Sequence, residues 1–148
     1  MRRSLPAFSA ALAAAFLAVA PSGAREVTPA EERVIPYTAK LPVCGDPGVL
    51  AMVSNQFAEK EAQFWNSDLT IVEYERIHPL AFKPWGLDTI PRRYCTATAT
   101  LSNQRRHRVD YSVREDLDFI GAGWGVEFCV QGLDRNWAYA PACRMARP

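Results

Sequence analysis

Arginine is the residue type with the most evident chemistry in this sequence, because six arginines fall within 23 positions. A guanidinium fork binds carboxylates and phosphates through paired hydrogen bonds, so the cluster predicts contact with a partner that carries anionic groups. The alternative is an ordinary solvated sheet face, since charged side chains also protect sheet edges from aggregation. The candidate binding residues from this cluster are Arg92, Arg93, Arg106, Arg108 and Arg114.

A second candidate surface lies in the C-terminal segment, residues 132–148, where Trp137 and Tyr139 stand close to Pro141 and Cys143. Tryptophan, tyrosine and arginine dominate the energetic hot spots of protein interfaces, so an aromatic cluster pinned by a disulfide would make a binding patch. The same cluster would serve equally well as a lid over one end of the core. Both interpretations remain open at the level of the sequence.

Catalytic chemistry has few candidates. The two histidines, His78 and His107, belong to no motif that places a nucleophile or a metal ion beside an imidazole. A hydrolase built from His107 and Glu127 is the enzymatic alternative, and it requires both side chains to come within hydrogen-bond reach of one substrate. We expect instead that Glu127 pairs with Arg106 or Arg108 across neighbouring strands. The sequence predicts no cofactor and no metal ion.

Four cysteines, Cys44, Cys95, Cys129 and Cys143, form an even number in a chain that begins like an exported one. Zinc ligands usually come in pairs two to four residues apart, whereas the shortest gap here is 14 residues, so disulfides are favoured over a zinc site. Sequence alone allows three pairings. The C-terminal segment can fold back beside the strand of Cys129, and a helix after Cys44 can cover the strand of Cys95. We therefore predict the pairs Cys44–Cys95 and Cys129–Cys143.

The N-terminus has the three parts of a secretory signal peptide: charged Arg2 and Arg3, an apolar stretch of about 16 residues, and small residues that end at Ala24. A membrane span needs roughly 20 apolar residues, so this stretch favours cleavage near Ala24 over a retained anchor. We expect a bacterial protein that is periplasmic or secreted, with no transmembrane segment in the mature chain.

The mature chain is expected to be nearly neutral. Removal of residues 1–24 takes away two arginines and leaves 15 basic and 16 acidic residues. This balance gives no support for a general nucleic-acid or membrane binder. The remaining 124 residues suffice for one domain with its own core, although cross-links help at this size. We expect residues 25–43 to form an extended lead-in and residues 44–148 to form a single domain.

Periodicity predicts one helix and four strands. Asp46 and Pro47 are typical of a helix start, and apolar residues then recur at helical spacing as far as Trp65. The three prolines of residues 78–91 predict a loop. Alternating or β-branched segments predict strands at residues 69–77, 94–101, 106–114 and 124–130.

The order of these elements fits an α+β fold, in which one N-terminal helix packs on a four-stranded antiparallel sheet, a cystatin-like roll with two disulfides. Cys95, Ala97 and Ala99 alternate along the second strand, and such small side chains would let the helix approach closely. The likeness to cystatin-like and nuclear-transport-factor-like architecture concerns element order and carries no function.

Four segments resemble a family of short, signal-peptide-bearing periplasmic proteins of alphaproteobacteria that has no known activity. They are PYTAKLPVC, EAQFWNS, IPRRYC and the ending GLDRNWAYAPACRMARP. The resemblance covers nearly all of the mature chain. It implies a periplasmic location and brings no activity, substrate or catalytic residue.

These observations favour a non-enzymatic binding or interaction module of the periplasm, whose partner would be a periplasmic protein or an anionic envelope component. A small-ligand pocket between the helix and the sheet is the first alternative, and the hydrolase is the second. A large apolar cavity would favour the pocket, whereas a packed interior would argue against it.

Overall fold

The computed structural model describes residues 38–83, 90–115, 117 and 123–148. All of these residues belong to one compact unit of the chain. The expected signal peptide, residues 1–24, and residues 25–37 of the expected lead-in lie outside the described residues.

Helix α1 spans Pro47–Trp65, the bounds that the sequence predicts. Asp46 caps the helix, because its carboxylate accepts the backbone N–H groups of Gly48 and Val49 at 2.8 and 3.3 Å. These contacts satisfy two donors that the first helical turn leaves unpaired. Asn66 ends the helix in the left-handed conformation, which asparagine tolerates better than most residues.

Four strands follow α1 and form one antiparallel sheet in the order β1-β2-β3-β4. Each strand pairs with the next strand along the chain, so the sheet is a meander. The strands are β1 (Ile71–Lys83), β2 (Arg92–Leu101), β3 (Arg106–Glu115) and β4 (Trp124–Val130).

Strand β1 is longer than the sequence predicts, because it continues through residues 78–83, where the prolines predict a loop. Pro79 has no backbone N–H to donate. Because β1 is an edge strand that pairs only with β2 in the described sheet, this missing donor interrupts hydrogen bonding with at most one neighbouring strand. Register shifts between Glu75 and His78 and between Pro79 and Ala81 absorb the irregularity. The loop prediction was wrong for these residues, and residues 84–89 lie outside the described part.

The core lies between α1 and one face of the sheet. Val49, Val53 and Phe57 project from the helix into one buried cluster with Ala97 and Ala99 of β2. The small-residue face predicted for this strand is confirmed, since both alanines are buried under the helix. The same cluster contains Leu41, Cys44, Ile71, Cys95, Leu101, Val109, Tyr111, Val113, Val126 and Val130.

Both disulfides have the predicted pairing. The Cα atoms of Cys44 and Cys95 are 5.7 Å apart, and those of Cys129 and Cys143 are 5.6 Å apart. The first bond ties the entry to α1 to β2. The second bond ties residues 131–148, which we call the tail, to β4. On the face of the sheet opposite to α1, Cys129 and Cys143 pack with Ala146 in a second small core.

The first described residues, Thr38 and Ala39, are attached to the end of β3 by Glu115. Its carboxylate accepts both backbone N–H groups and the hydroxyl of Thr38, each at 2.9 Å. Burial raises the pKa of the Glu115 carboxyl, but these hydrogen bonds stabilise the charged form and lower the pKa below its ordinary value of 4.5. This acid is therefore a structural anchor for the chain that leads into α1.

The fold is α+β, one helix on a four-stranded antiparallel sheet with two disulfides, as the sequence predicts. Within the described ranges, no helix has both the length and the apolar composition that crossing a membrane requires.

Candidate functional site

The strand register gives the sheet two chemically different faces, and we call the one turned away from α1 the outer face. Arg92 is paired directly with Arg114 across β2 and β3, and Arg106 and Arg108 precede Arg114 along β3 at even spacing. Because side chains alternate along a strand, these four arginines share the outer face. Arg93 lies on the other face, where its guanidinium stacks over an aromatic ring of β1. The structure thus places four of the five candidate arginines on one face of the sheet.

Glu127 of β4 lies between two of these arginines, and we call the three residues the first triad. One carboxylate oxygen is 3.3 Å from Nη1 of Arg92, and the other is 3.4 Å from Nη1 of Arg114. The expectation that Glu127 pairs with Arg106 or Arg108 was wrong. The β3–β4 register places Glu127 two positions from Arg114 but four from Arg108 along β3.

Tyr139 of the tail lies beside the first triad. Its ring is half-buried and lines the same surface groove as Glu127. Burial raises the pKa of the Tyr139 hydroxyl, the charges of Glu127 and Asp134 raise it further, and Arg92 and Arg114 oppose the rise. Tyr139 therefore acts as a cover for this part of the outer face.

Asp110 forms a second triad with Arg108 and Arg147, and its side chain is 0% exposed. Its two carboxylate oxygens accept from Nε of Arg108 at 2.8 Å and from Nε of Arg147 at 3.0 Å. Arg147 belongs to the tail and also donates to the carbonyl oxygen of Ala142 at 2.8 Å. The second triad therefore fastens the tail to the sheet close to the disulfide of Cys129.

The outer face keeps an excess of positive charge. Arg106 pairs with Glu75 of β1, one cation for one anion. Glu127 and Asp110, in contrast, are each contacted by two arginines. Among the described residues each triad therefore retains one positive charge that its own carboxylate does not balance, in a chain whose formal net charge is only +1.

A cavity of about 410 Å³ opens on the outer face between β1, β2 and β3. Arg108 is the one lining residue among the candidate binding residues of the sequence. A sequence signal exists for two of the others, Thr96 and Thr98, because they alternate with the alanines that face the helix and must therefore face outward. The lining residues are Arg76, His78, Leu80, Thr96, Ala97, Thr98 and Arg108.

The two aromatic candidates of the tail have different environments. Trp137 is 76% exposed and borders a cavity of about 480 Å³ that is lined by tail residues. Asp134 orders this part of the chain, because its carboxylate accepts the backbone N–H groups of Ala138 and Tyr139 at 3.1 and 2.8 Å. Trp137 is therefore accessible to a partner, whereas Tyr139 is turned toward the sheet.

The structure does not bring His107 and Glu127 together. His107 lies on the α1 side of β3, with Nδ1 2.8 Å from the carbonyl oxygen of Gln131. Glu127 lies on the outer face opposite Ser112, which is five residues or about 17 Å farther along β3. These side chains therefore form no shared hydrolytic site. In the described part of the chain, no three His, Cys, Asp or Glu side chains are grouped so that they could hold a metal ion.

Between α1 and the central strands the described residues form a buried apolar cluster. A cavity of about 10 Å³ remains beside Phe57 and Phe128, which is about the space that one water molecule needs. Two clefts open at the surface between α1 and β4. One of about 330 Å³ is lined by Phe64 and Glu127 among others, and one of about 360 Å³ by Met52 and Trp124 among others. The larger clefts thus lie at the β4 edge of the fold rather than between α1 and the central strands.

The candidate site therefore consists of the outer face with its two triads and its cavity, together with the exposed Trp137 of the tail. Comparisons with models of protein families, with curated proteins and with solved structures found no match.

Proposed function

We propose that this protein is a non-enzymatic binding module of the bacterial periplasm, and that its outer face holds an anionic component of the cell envelope. The observation that carries the proposal is the pairing of two carboxylates with four arginines. Glu127 and Asp110 each balance one of the two guanidiniums that contact them. An anionic group from a partner would balance the remaining charge through charge-assisted hydrogen bonds.

The arginines of the first triad are held in place before any partner arrives. Arg92 and Arg114 are partly buried, and both contact Glu127. The guanidinium of Arg92 also lies 5.8 Å from the centre of the Tyr94 ring. Side chains that are already ordered lose less conformational entropy on binding. The outer face therefore has the preorganisation that an anion-binding surface needs.

An exported location supports an envelope component as the partner. The N-terminal 24 residues have the charge and apolar pattern of a signal peptide. Two disulfides are typical of proteins in oxidising compartments. The resemblance to short periplasmic proteins points to the same compartment. The anionic candidates there are lipid headgroups and acidic polysaccharides.

Retention of the folded protein on phosphatidylglycerol vesicles and on an immobilised acidic polysaccharide tests the proposal. The double substitution Arg106→Gln and Arg114→Gln removes two cations from opposite ends of β3. Each contact between one of these cations and an anionic group of the partner contributes up to about 1 kcal/mol at the surface, so we expect about tenfold weaker retention. Retention of the unsubstituted protein should also fall as salt concentration rises, because exposed charges are screened.

A matched control removes the same charge elsewhere. Lys40→Gln with Arg105→Gln changes two exposed cations outside the outer face, and retention should stay within about twofold of the unsubstituted protein. Far-ultraviolet circular dichroism of both double variants verifies the fold. Equal losses in the two double variants, or no retention above that on neutral vesicles and an uncharged matrix, would refute the proposal.

A partner protein that docks on Trp137 is the second candidate function, and the exposure of this large aromatic side chain favours it. Crosslinking of the tagged protein in its own periplasm, followed by mass spectrometry, identifies such a partner. Trp137→Ala should abolish a specific crosslink, whereas Phe64→Ala, which removes another exposed aromatic side chain on α1, should leave it intact. Identical crosslinks in both variants would reject this docking site.

A further inference from the structure

Arg76 occupies a bulge of β1 that directs its side chain onto the outer face. The pairing with β2 is irregular between Glu75 and His78, and Arg76 has a φ of 51°, a left-handed conformation that non-glycine residues rarely adopt. Its Nη2 donates to the hydroxyl of Thr98 at 3.0 Å. Bulges that re-aim one side chain are common next to functional sites. The strained residue of β1 is thus the one that places a cation on the outer face.

The cavity beside Arg76 offers hydrogen-bond donors from three strands. Arg76 lines it from β1, Arg108 from β3 and Thr98 from β2. Thr96 of β2 lines it as well, but its buried hydroxyl donates to the carbonyl oxygen of Val109 at 3.3 Å and is left as an acceptor for a ligand. Leu80 adds an apolar wall. Guanidinium and hydroxyl groups together suit an oxyanion that is attached to a polar carrier.

His78 also lines this cavity. Its Nδ1 lies 2.9 Å from the carbonyl oxygen of Arg76. A carbonyl oxygen can only accept, so we assign the proton to Nδ1. Nε2 is then the nitrogen that can accept a hydrogen bond from a hydroxyl of a ligand.

Charge and size both fit a ligand larger than a single ion. In the described part of the chain, Arg76 bonds a neutral hydroxyl rather than a carboxylate, and Arg108 shares Asp110 with Arg147. The lining therefore carries more positive than negative charge. The volume of about 410 Å³ lies within the range of small-molecule sites, which is roughly 300 to 1,000 Å³.

We infer that this cavity binds a compact oxyanion, a carboxylate, sulfate or phosphate, on a carrier the size of a sugar or of glycerol. The fork of Arg76 contacts the oxyanion, Arg108 supplies a second positive charge, and Thr96, Thr98 and His78 contact hydroxyls of the carrier. The inference deepens the proposed function by naming the group that the outer face holds. It rests on that proposal for the origin of the carrier.

Titrations of the ¹⁵N-labelled protein at constant ionic strength test the inference by nuclear magnetic resonance. The probes are inorganic phosphate, glycerol phosphate and glucuronate. We expect saturable shifts of the amide signals of Thr96 and Thr98. Tighter binding of glycerol phosphate than of glucuronate points to a lipid headgroup as the source, and the reverse order points to an acidic polysaccharide.

Two substitutions at Arg76 and one control separate the contribution of the guanidinium geometry to phosphate affinity from that of the positive charge. Arg76→Gln should weaken phosphate binding about tenfold or more, and Arg76→Lys about threefold, because lysine keeps the charge and loses the fork. Arg105→Gln, which changes an exposed arginine of the β2–β3 turn, should leave the affinity unchanged. Arg76→Lys also keeps the test decisive if Arg76→Gln disturbs the bulge.

The outcomes separate the cavity from the outer face as a whole. Shifts that never saturate, or saturable shifts that both Arg76 variants leave unchanged, overturn the inference. If retention on the vesicles or the polysaccharide depends on Arg106 and Arg114 but phosphate binding does not saturate, the cavity is rejected as the anion site and the proposed function stands. If phosphate binding saturates but the protein is not retained on either surface, the cavity stands as an anion site and the envelope component is rejected as its partner.

Discussion

Replacement of Asp110 by asparagine should destabilise the fold and strengthen anion binding at the same time. The carboxylate of Asp110 is fully buried and accepts hydrogen bonds from Arg108 of the sheet and Arg147 of the tail. An asparagine has nearly the same shape and keeps one oxygen acceptor, but it carries no charge. Asp110→Asn therefore leaves two guanidiniums beside a neutral group, and the outer face gains one positive charge.

The size of the stability loss follows from the burial of the three side chains. Removal of one member of a buried ion pair costs about 3 to 5 kcal/mol. Here Arg108 and Arg147 are 41% and 31% exposed, so water can solvate both after the substitution and reduce the cost. We expect a loss of about 2 kcal/mol in the free energy of unfolding. For a domain of this size, the midpoint of thermal unfolding should fall by roughly 6 to 12 °C.

The gain in anion affinity comes from the loss of a nearby negative charge. A unit charge several ångströms away opposes an anion by about 1 kcal/mol when water screens it well. Phosphate should therefore bind to Asp110→Asn about fivefold more tightly than to the unsubstituted protein.

Urea unfolding with the disulfides intact measures the stability, and the phosphate titration measures the affinity. Asp68→Asn is the matched control, because it makes the same chemical change at an exposed position away from the sheet. Unchanged stability of Asp110→Asn would refute the buried triad. Lost stability without tighter phosphate binding would keep the triad and reject the link between Arg108 and the cavity.

Three further perturbations test other parts of the structure. The anchor between Glu115 and Thr38 should be complete above pH 4.5 and lost as pH falls through the lowered pKa of Glu115; amide shifts of Thr38 measure this, and Glu115→Gln should remove the transition. Phe57→Ala should cost about 3 to 5 kcal/mol in urea unfolding, whereas Trp137→Ala should change stability by less than about 0.5 kcal/mol; equal effects would contradict their different burial. Loss of the Cys44–Cys95 bond, whose residues are 51 positions apart, should cost about 4 kcal/mol, and loss of the Cys129–Cys143 bond, 14 apart, about 3; equal or reversed losses of the serine variants in urea unfolding would contradict this dependence on loop length.

The elements with local signals could be predicted from the sequence. The start of α1 depends on Asp46 and Pro47, which are adjacent to the turn that they stabilise. The small-residue face of β2 depends on strict alternation within one segment. The disulfide pairing followed from the placement of these elements, because Cys44 precedes the helix that covers Cys95. Each of these predictions needed few assumptions about distant parts of the chain.

The contacts of the outer face could not be predicted in the same way, because they depend on register. A shift of two residues between β3 and β4 would move Glu127 away from Arg114 and toward Arg108. The bulge at Arg76 is likewise absent from any local pattern, since it arises where an edge strand that contains Pro79 must stay paired with β2. The lining of the cavity therefore required the three-dimensional structure.

The arginine cluster and the C-terminal tail are separate candidates in the sequence but one assembly in the structure. Arg147 of the tail neutralises part of the charge of Asp110, and Tyr139 lies beside Glu127. A partner that displaces the tail would therefore expose Glu127 and leave Asp110 to Arg108 alone, which would lower the positive charge available to an anion. Binding at Trp137 that shifts the tail and anion binding on the outer face should thus oppose each other, and by linkage each ligand would weaken the other by the same factor.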